Sequence, residues 1–221
     1  MKIECIIFDF DGTLFDSMFI WESAGENYIR SLGKIPNDSL SYDVKTLSLL
    51  QSAQYLKEEY DLSMSVEEIM LGINQTIEHF YIYEVLPKEA IIDLLNQLHL
   101  LNIPLCIASA TDRYLIESAL KRCHMDHYFD KVFTCGEVGH GKDEPDIYRQ
   151  AMNYYKAKHH TTIIFEDALH AIKVAKEDGF IVVCVYDQSE NEQESIKKIS
   201  KYYIKDYKNI EYILNIIKGV N

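Results

Sequence analysis

Residues 9–13 constrain this chain more than any other stretch. They read Asp9-Phe10-Asp11-Gly12-Thr13 and follow the short apolar run Ile3-Glu4-Cys5-Ile6-Ile7-Phe8. That run has the character of a buried strand. In extended backbone, residues i and i+2 point the same way, so Asp9 and Asp11 leave the strand end on one side and Phe10 on the other. Gly12 permits a sharp turn and close approach of the backbone to a ligand. Thr13 offers a hydroxyl that can brace the turn or a carboxylate. Two carboxylates this close repel unless something positive lies between them. Mg²⁺, a hard cation that prefers oxygen ligands, is the natural solution. A carboxylate held this way can also act as a nucleophile and form an acyl phosphate. The competing reading is a turn whose aspartates only cap the next helix, which suits Asp16-Ser17 better than Asp9 and Asp11.

The remainder of the chain falls into two patterns. Residues 17–84 contain no strand-length β-branched run. A helix over 17–32 is expected there, with Asp16 or Ser17 as its cap and Gly33 as its stop. A second helical region spans 39–60 with a break near Lys45. A third helix opens at Ser65-Val66-Glu67-Glu68, which has capping-box spacing, and runs to residue 81. From residue 86 onward, strands and helices alternate, the mark of an α/β sheet. Strands are expected at 103–108, 131–134, 161–165 and 180–185, with an edge strand at 202–204. Helices are expected at 87–100, with Pro87 in the first turn, and at 112–123, 145–156, 169–177, 189–199 and 209–217. The fold expected is therefore α/β. A Rossmann-like parallel sheet core (1–15 and 86–221) would carry an inserted all-helical domain (16–85).

Parallel α/β sheets bind ligands beyond the carboxyl ends of their central strands. After the first strand come Asp9 and Asp11, and after the second comes Ser109-Ala110-Thr111. Glu166 and Asp167 follow the fourth. Lys142 lies in the loop Gly139-His140-Gly141-Lys142, just ahead of a helix. Singly, each has a plain reading: Ser109 as a helix cap, Lys142 as a solvated lysine, Glu166-Asp167 as acids at a helix start. Together they put a nucleophile, an acid/base, a hydroxyl, a cation and a second acidic group at one sheet edge.

These segments also carry a resemblance. Asp9-Phe10-Asp11-Gly12-Thr13-Leu14-Phe15-Asp16-Ser17 is similar to the first motif of the haloacid dehalogenase superfamily, in its phosphatase and phosphomutase branch with a small helical cap. The dehalogenases themselves lack the second aspartate, so Asp11 points to phosphoryl transfer. Ser109 matches the residue ending the second strand. Gly141-Lys142-Asp143-Glu144-Pro145-Asp146 resembles the lysine loop, and Phe165-Glu166-Asp167-Ala168 the acidic motif. The chain departs from the usual pattern at Asp143, where proline is common, at Ala168, where serine is usual, and at Ala171, where glycine is usual.

The resemblance implies a Mg²⁺-dependent phosphomonoester hydrolase acting on a small phosphorylated metabolite. Asp9 would be the nucleophile and Asp11 the acid/base. Asp9, the Asp11 carbonyl and Asp167 would hold the metal, with Glu166 in an outer position. Gly12, Ser109, Ala110 and Lys142 would hold the phosphoryl oxygens. Trp21, Glu22 and Lys45 are the cap residues expected to face substrate, with Trp21 as cap core an equal alternative. A sugar phosphomutase of the β-phosphoglucomutase type is the runner-up. It is weakened because Trp21 stands where those relatives use a histidine, and because 42–51 holds no arginine. A non-catalytic phospho-ligand-binding protein is the alternative of another class.

Composition sets the outer bounds. With 221 residues and a formal net charge of −13, the chain is poorly suited to nucleic acid or an anionic membrane surface. An anionic substrate must then be held by local positive charge. The five cysteines include no C-x-x-C pair and fall mostly in apolar runs, which reads as reduced core thiols. Residues 1–13 hold three acids, unlike a signal peptide, and no run approaches 18 apolar residues. A cytoplasmic protein, monomer or weak dimer, is expected. His159-His160 reads as a pair of exposed loop histidines rather than a metal site.

Overall fold

A computed structural model describes residues 2–44 and 47–219. The chain forms two compact units, one built from residues up to Asp16 and from Leu86 onward, the other from Ser17–Val85.

The first unit is organised on a six-stranded sheet: β1 (Cys5–Phe8), β2 (Leu105–Ser109), β3 (Lys131–Thr134), β4 (Thr162–Glu166), β5 (Ile181–Val185) and β6 (Tyr202–Ile204). The strands are all parallel, in the order β3-β2-β1-β4-β5-β6. Parallel strands covered on both faces must be apolar throughout, and β1, β2 and β4 are buried at every residue. The chain winds outward from β1 through β2 to β3, then crosses to β4 and winds outward the other way. The reversal falls between β1 and β4, at whose carboxyl ends a crevice is expected. Phe8 pairs with Ile107 on one side and Phe165 on the other. Asp9, Ser109 and Glu166 therefore emerge at nearly the same level.

The inserted unit consists of α1 (Met18–Ser31), α2 (Leu40–Val44), α3 (Leu49–Glu59) and α4 (Val66–Tyr83). Ser48–Gln51 and Ser65–Glu68 form reciprocal capping boxes at the starts of α3 and α4. Each such cap stabilises its helix by about 1 kcal/mol. The Ser65 box follows from its spacing, and the helical region expected over 39–60 with a break near Lys45 is the pair α2 and α3. Ser48 ends the connection between them and starts α3. Gly72 on α4 faces the buried Tyr28 ring of α1, where an added Cβ would lie 2.2 Å from the ring edge.

The sheet is flanked by α5 (Ile91–Leu100), α6 (Arg113–Arg122), α7 (Cys135–Val138), α8 (Asp146–Tyr154), α9 (Leu169–Glu177), α10 (Gln193–Ile199) and α11 (Ile210–Lys218). Pro87 does not sit in the first turn of α5 as expected. It bridges Phe15 in antiparallel fashion, and Lys88 N–H donates to Leu14 O (2.9 Å). Ala90 then takes left-handed backbone (φ 64°) before α5 begins. Pairing with the outgoing chain thus holds the proline out of the helix. Asp16 N–H also donates to Leu86 O (3.0 Å), so the segments leading into and out of the insert run side by side.

The cysteines are free thiols, four buried and Cys123 half-buried. Burial pushes their pKa values up, as suits inert thiols. His159 is less exposed than expected: its Nε2 lies 3.1 Å from Asp178 and its ring rests on Phe180. Among the described residues no helix is long and apolar enough to cross a membrane.

Candidate active site

The turn after β1 is closed by its own backbone. Leu14 and Phe15 N–H both donate to Phe10 O (2.9 Å each), and Gly12 N–H donates to Phe15 O (2.9 Å). Gly12 has φ 75°, which a side chain would strain. Phe10 points away from the carboxylates and stacks on Phe15 (4.5 Å between centroids). Asp9 is buried and Asp11 half-buried.

Asp9, Glu166 and Asp167 each bring a carboxylate oxygen within 4.8 Å of the others. Their only close ammonium among the described residues is Lys142, itself buried, which donates to Asp9 Oδ1 and to Glu166 Oε2 (2.8 Å). Tyr148 O–H also donates to Glu166 Oε2 (3.0 Å). Glu166 Oε1 accepts from the N–H groups of Asp167 and Ala168 (3.2 Å each). Both oxygens of Glu166 are thus engaged by protein, which suits an orienting role. Asp167 is aimed by Thr13, whose hydroxyl donates to Asp167 Oδ1 (2.9 Å).

The charge balance of this cluster is lopsided. Burial, with the charge of Glu166 next, raises Asp9 to about 8 despite Lys142. Burial, Glu166 and Asp9 likewise raise Asp167 well above the usual carboxylate range. Burial works against the Lys142 cation, but Asp9 and Glu166 outweigh it and hold it charged. One ammonium cannot balance three buried carboxylates, and a hard divalent cation would relieve the excess. The donor set fits Mg²⁺ in ligand type and in charge.

Ser109 is buried at the end of β2, and its hydroxyl accepts from Thr111 N–H (3.1 Å). Ala110 is exposed beside it. Thr111, not singled out from the sequence, donates through its hydroxyl to Asp11 Oδ2 (2.5 Å). The available signal was its place two residues after Ser109. Tyr207, near the far end of the chain, is buried and donates to Thr13 O (3.1 Å), bracing the turn after β1. No local pattern marks it.

The residues expected to select substrate lie in the inserted unit. Trp21 is half-buried there and donates from Nε1 to Tyr81 O–H (2.6 Å), while Glu22 is exposed. Lys45 lies outside the described residues. A second acidic grouping, His140, Glu144 and Asp146, is largely exposed. His140 Nδ1 lies 2.6 Å from Asp146 and 3.2 Å from Glu144, which closes the loop that carries Lys142.

Comparison with known proteins agrees with this geometry. Residues 6–185 match the family of haloacid dehalogenase-like hydrolases. A phosphorylated carbohydrates phosphatase of Thermotoga maritima is 22% identical over 218 residues, covering 99% of this chain and all of the relative. The fructose-1-phosphate phosphatase YqaB of Escherichia coli is 23% identical over 186 residues, covering 81% of this chain and 95% of its own. In structure, the β-phosphoglucomutase of Clostridium difficile superposes with a TM-score of 0.79 at 19% identity, over 99% of this chain and 98% of that one. With four fifths of its length matched, the turn after β1 and the acidic turn included, the chain belongs to the haloacid dehalogenase-like hydrolases.

Proposed function

We propose that this protein hydrolyses the phosphomonoester of a small phosphorylated metabolite, with Mg²⁺ as cofactor and an aspartyl-phosphate on Asp9 as intermediate. The observation that carries this reading is the buried Lys142 ammonium held between Asp9 and Glu166 beside Asp167. Such a group offsets part of the burial and like charge that raise Asp9, a task the metal would complete, and remains available to the phosphoryl oxygens. Asp9, the Asp11 carbonyl and Asp167 would hold the metal, with Glu166 orienting from outside. When bound, Mg²⁺ neutralises charge shared by carboxylates and phosphoryl oxygens.

An Asp9 carboxylate oxygen attacks phosphorus, forming one P–O bond as the bond to the leaving oxygen breaks. Asp11 gives its proton to that oxygen. It then takes a proton from the water that attacks the aspartyl-phosphate, which releases inorganic phosphate and restores Asp9. Ser109, Lys142 and the Asp11 N–H, with Ala110 beside them, hold the phosphoryl oxygens as charge spreads over them. The Gly12 N–H, expected to share that task, is instead spent on Phe15 O (2.9 Å), and Gly12 serves the turn.

Two features support hydrolysis over transfer to a second sugar hydroxyl. The full-length relative from Thermotoga maritima carries a phosphatase name. The described cations of the insert are engaged within it: Arg30 pairs with Glu26, and Lys34 and Lys57 donate to backbone carbonyls. Both observations favour a phosphorylated carbohydrate that carries a single phosphate. The test is phosphate release from a panel of sugar phosphates, nucleotides and small phosphorylated acids, with Mg²⁺, with chelator, and with Asp9→Asn. Metal-dependent release abolished in Asp9→Asn is expected. A folded wild-type protein that releases phosphate from nothing while isomerising a sugar phosphate would replace this reading by the mutase one.

A further inference from the structure

Helix α9 begins directly after the acidic turn, and its capping residue is Ala168, whose side chain cannot accept a hydrogen bond. The first N–H groups of a helix have no partner within it and must find one elsewhere. Just ahead of the helix, Glu166 Oε1 takes the N–H groups of Asp167 and of the capping residue Ala168 (3.2 Å each). The first N–H of the helix itself, that of Leu169, donates to Glu190 Oε2 at 3.1 Å. Glu190 lies in the loop between β5 and α10, far along the chain. Its other oxygen accepts from Glu192 N–H (2.9 Å), so the carboxylate is fixed within its own turn as well.

That loop is itself tied down. Asp187 is buried, and its Oδ1 accepts from Ser189 N–H (2.9 Å) and Oγ–H (2.6 Å). Its Oδ2 accepts from Lys88 Nζ (2.6 Å), and its backbone carbonyl accepts from Gln193 Nε2 (2.8 Å). Lys88 N–H donates in turn to Leu14 O (2.9 Å). A continuous chain of bonds thus runs from the nucleophile turn through Lys88 and the 187–193 loop to the start of α9.

We propose that Glu190 is a positioning residue for the acidic turn: reaching across from the β5–α10 loop, it takes the first N–H of a helix whose own capping residue offers no acceptor, and so holds Asp167 against Thr13 and Asp9. A carboxylate suits the place, because negative charge is favoured at a helix N-terminus. The inference rests on the Mg²⁺ reading above.

The test is calorimetric Mg²⁺ titration of the wild type, Glu190→Ala, Glu190→Gln and the double variant A168S/E190A. Far-UV circular dichroism controls for folding, and half-saturating Mg²⁺ is measured in the activity assay. Glu190→Ala is expected to weaken Mg²⁺ binding roughly three- to thirty-fold, with kcat at saturating Mg²⁺ little changed. A168S/E190A adds a serine that can accept from His170 or Ala171 N–H and steady the same helix start by another bond, and is expected to recover part of the loss. Glu190→Gln, which keeps an acceptor oxygen, should fall between and carries the test if Glu190→Ala does not fold. A lowered melting temperature with Mg²⁺ affinity within about twofold of wild type would overturn the positioning role. Wild-type protein that binds no Mg²⁺ would bring down the metal reading and this inference together.

Discussion

The Thr111 hydroxyl reaches Asp11 Oδ2 at 2.5 Å and so limits how that carboxylate can rotate. Thr111→Val removes the donor at nearly constant volume. It is expected to lower kcat by up to ~10²-fold through misplacement of Asp11, the acid/base of the proposed reaction, with a smaller change in KM. Steady-state kinetics checks this, and an unchanged kcat would take Thr111 out of the account. Asp9 sets a pH dependence. Its carboxyl is raised from 3.8 to about 8 in the metal-free fold, burial being the largest cause and Glu166 the next. Between those values the folded state holds a proton that the unfolded chain has lost, so stability falls as pH rises through that window. Asp167 is raised too and acts in the same sense. Metal-free protein should therefore melt lower at pH 8 than at pH 5. Added Mg²⁺ should raise the melting temperature more at pH 8, where the carboxylates no longer hold protons against it. Scanning calorimetry with and without chelator reads both effects. Asp9, Ser109, Lys142, Glu166 and Asp167 could be singled out from sequence because each lies at or near a strand end or helix start, where position alone fixes direction. Thr111, Tyr207 and Glu190 could not, because their partners are distant in the chain and are chosen by tertiary packing.

At the scale of elements, the α1–α4 contact in the insert depends on the missing side chain of Gly72. A Cβ there would stand 2.2 Å from Tyr28 Cε2 and 2.9 Å from Cζ, against a buried ring. Alanine gains about 1 kcal/mol of helix propensity over glycine. Overpacking costs about 1–3 kcal/mol and wins if the ring cannot move. Gly72→Ala is thus expected to destabilise the inserted unit, with faster hydrogen exchange confined to α1 and α4. Unchanged protection there would mean that the ring yields freely. The elements themselves were largely readable: β3 and β6, α9 and the Ser65 capping box fall where apolar runs and caps put them. The break expected near Lys45 is present, and the capping box at Ser48 fixes where α3 starts after it. One departure has a local cause. Pro87, a good first-turn residue in isolation, is instead claimed by backbone pairing with Phe15.

Across the whole molecule, the formal charge of −13 disfavours substrates that bring more negative charge than the site can neutralise. A sugar bisphosphate should show a lower kcat/KM than the matching monophosphate. The gap should narrow as ionic strength rises from about 0.01 M to 0.15 M, over which the screening length shortens from ~30 Å to ~8 Å. A bisphosphate preference at low salt would instead mark a local cluster of cations that outweighs the net charge. The paired connectors at Phe15–Pro87 and Asp16–Leu86 carry a last consequence. To the sheet, the entire helical unit is the loop of a hairpin whose two arms are already zipped. The entropic cost of such a loop rises only with the logarithm of its length. A lineage could therefore trade one set of helices for another, or shed them for a short turn, while Asp9 and the turn after β1 stayed in register.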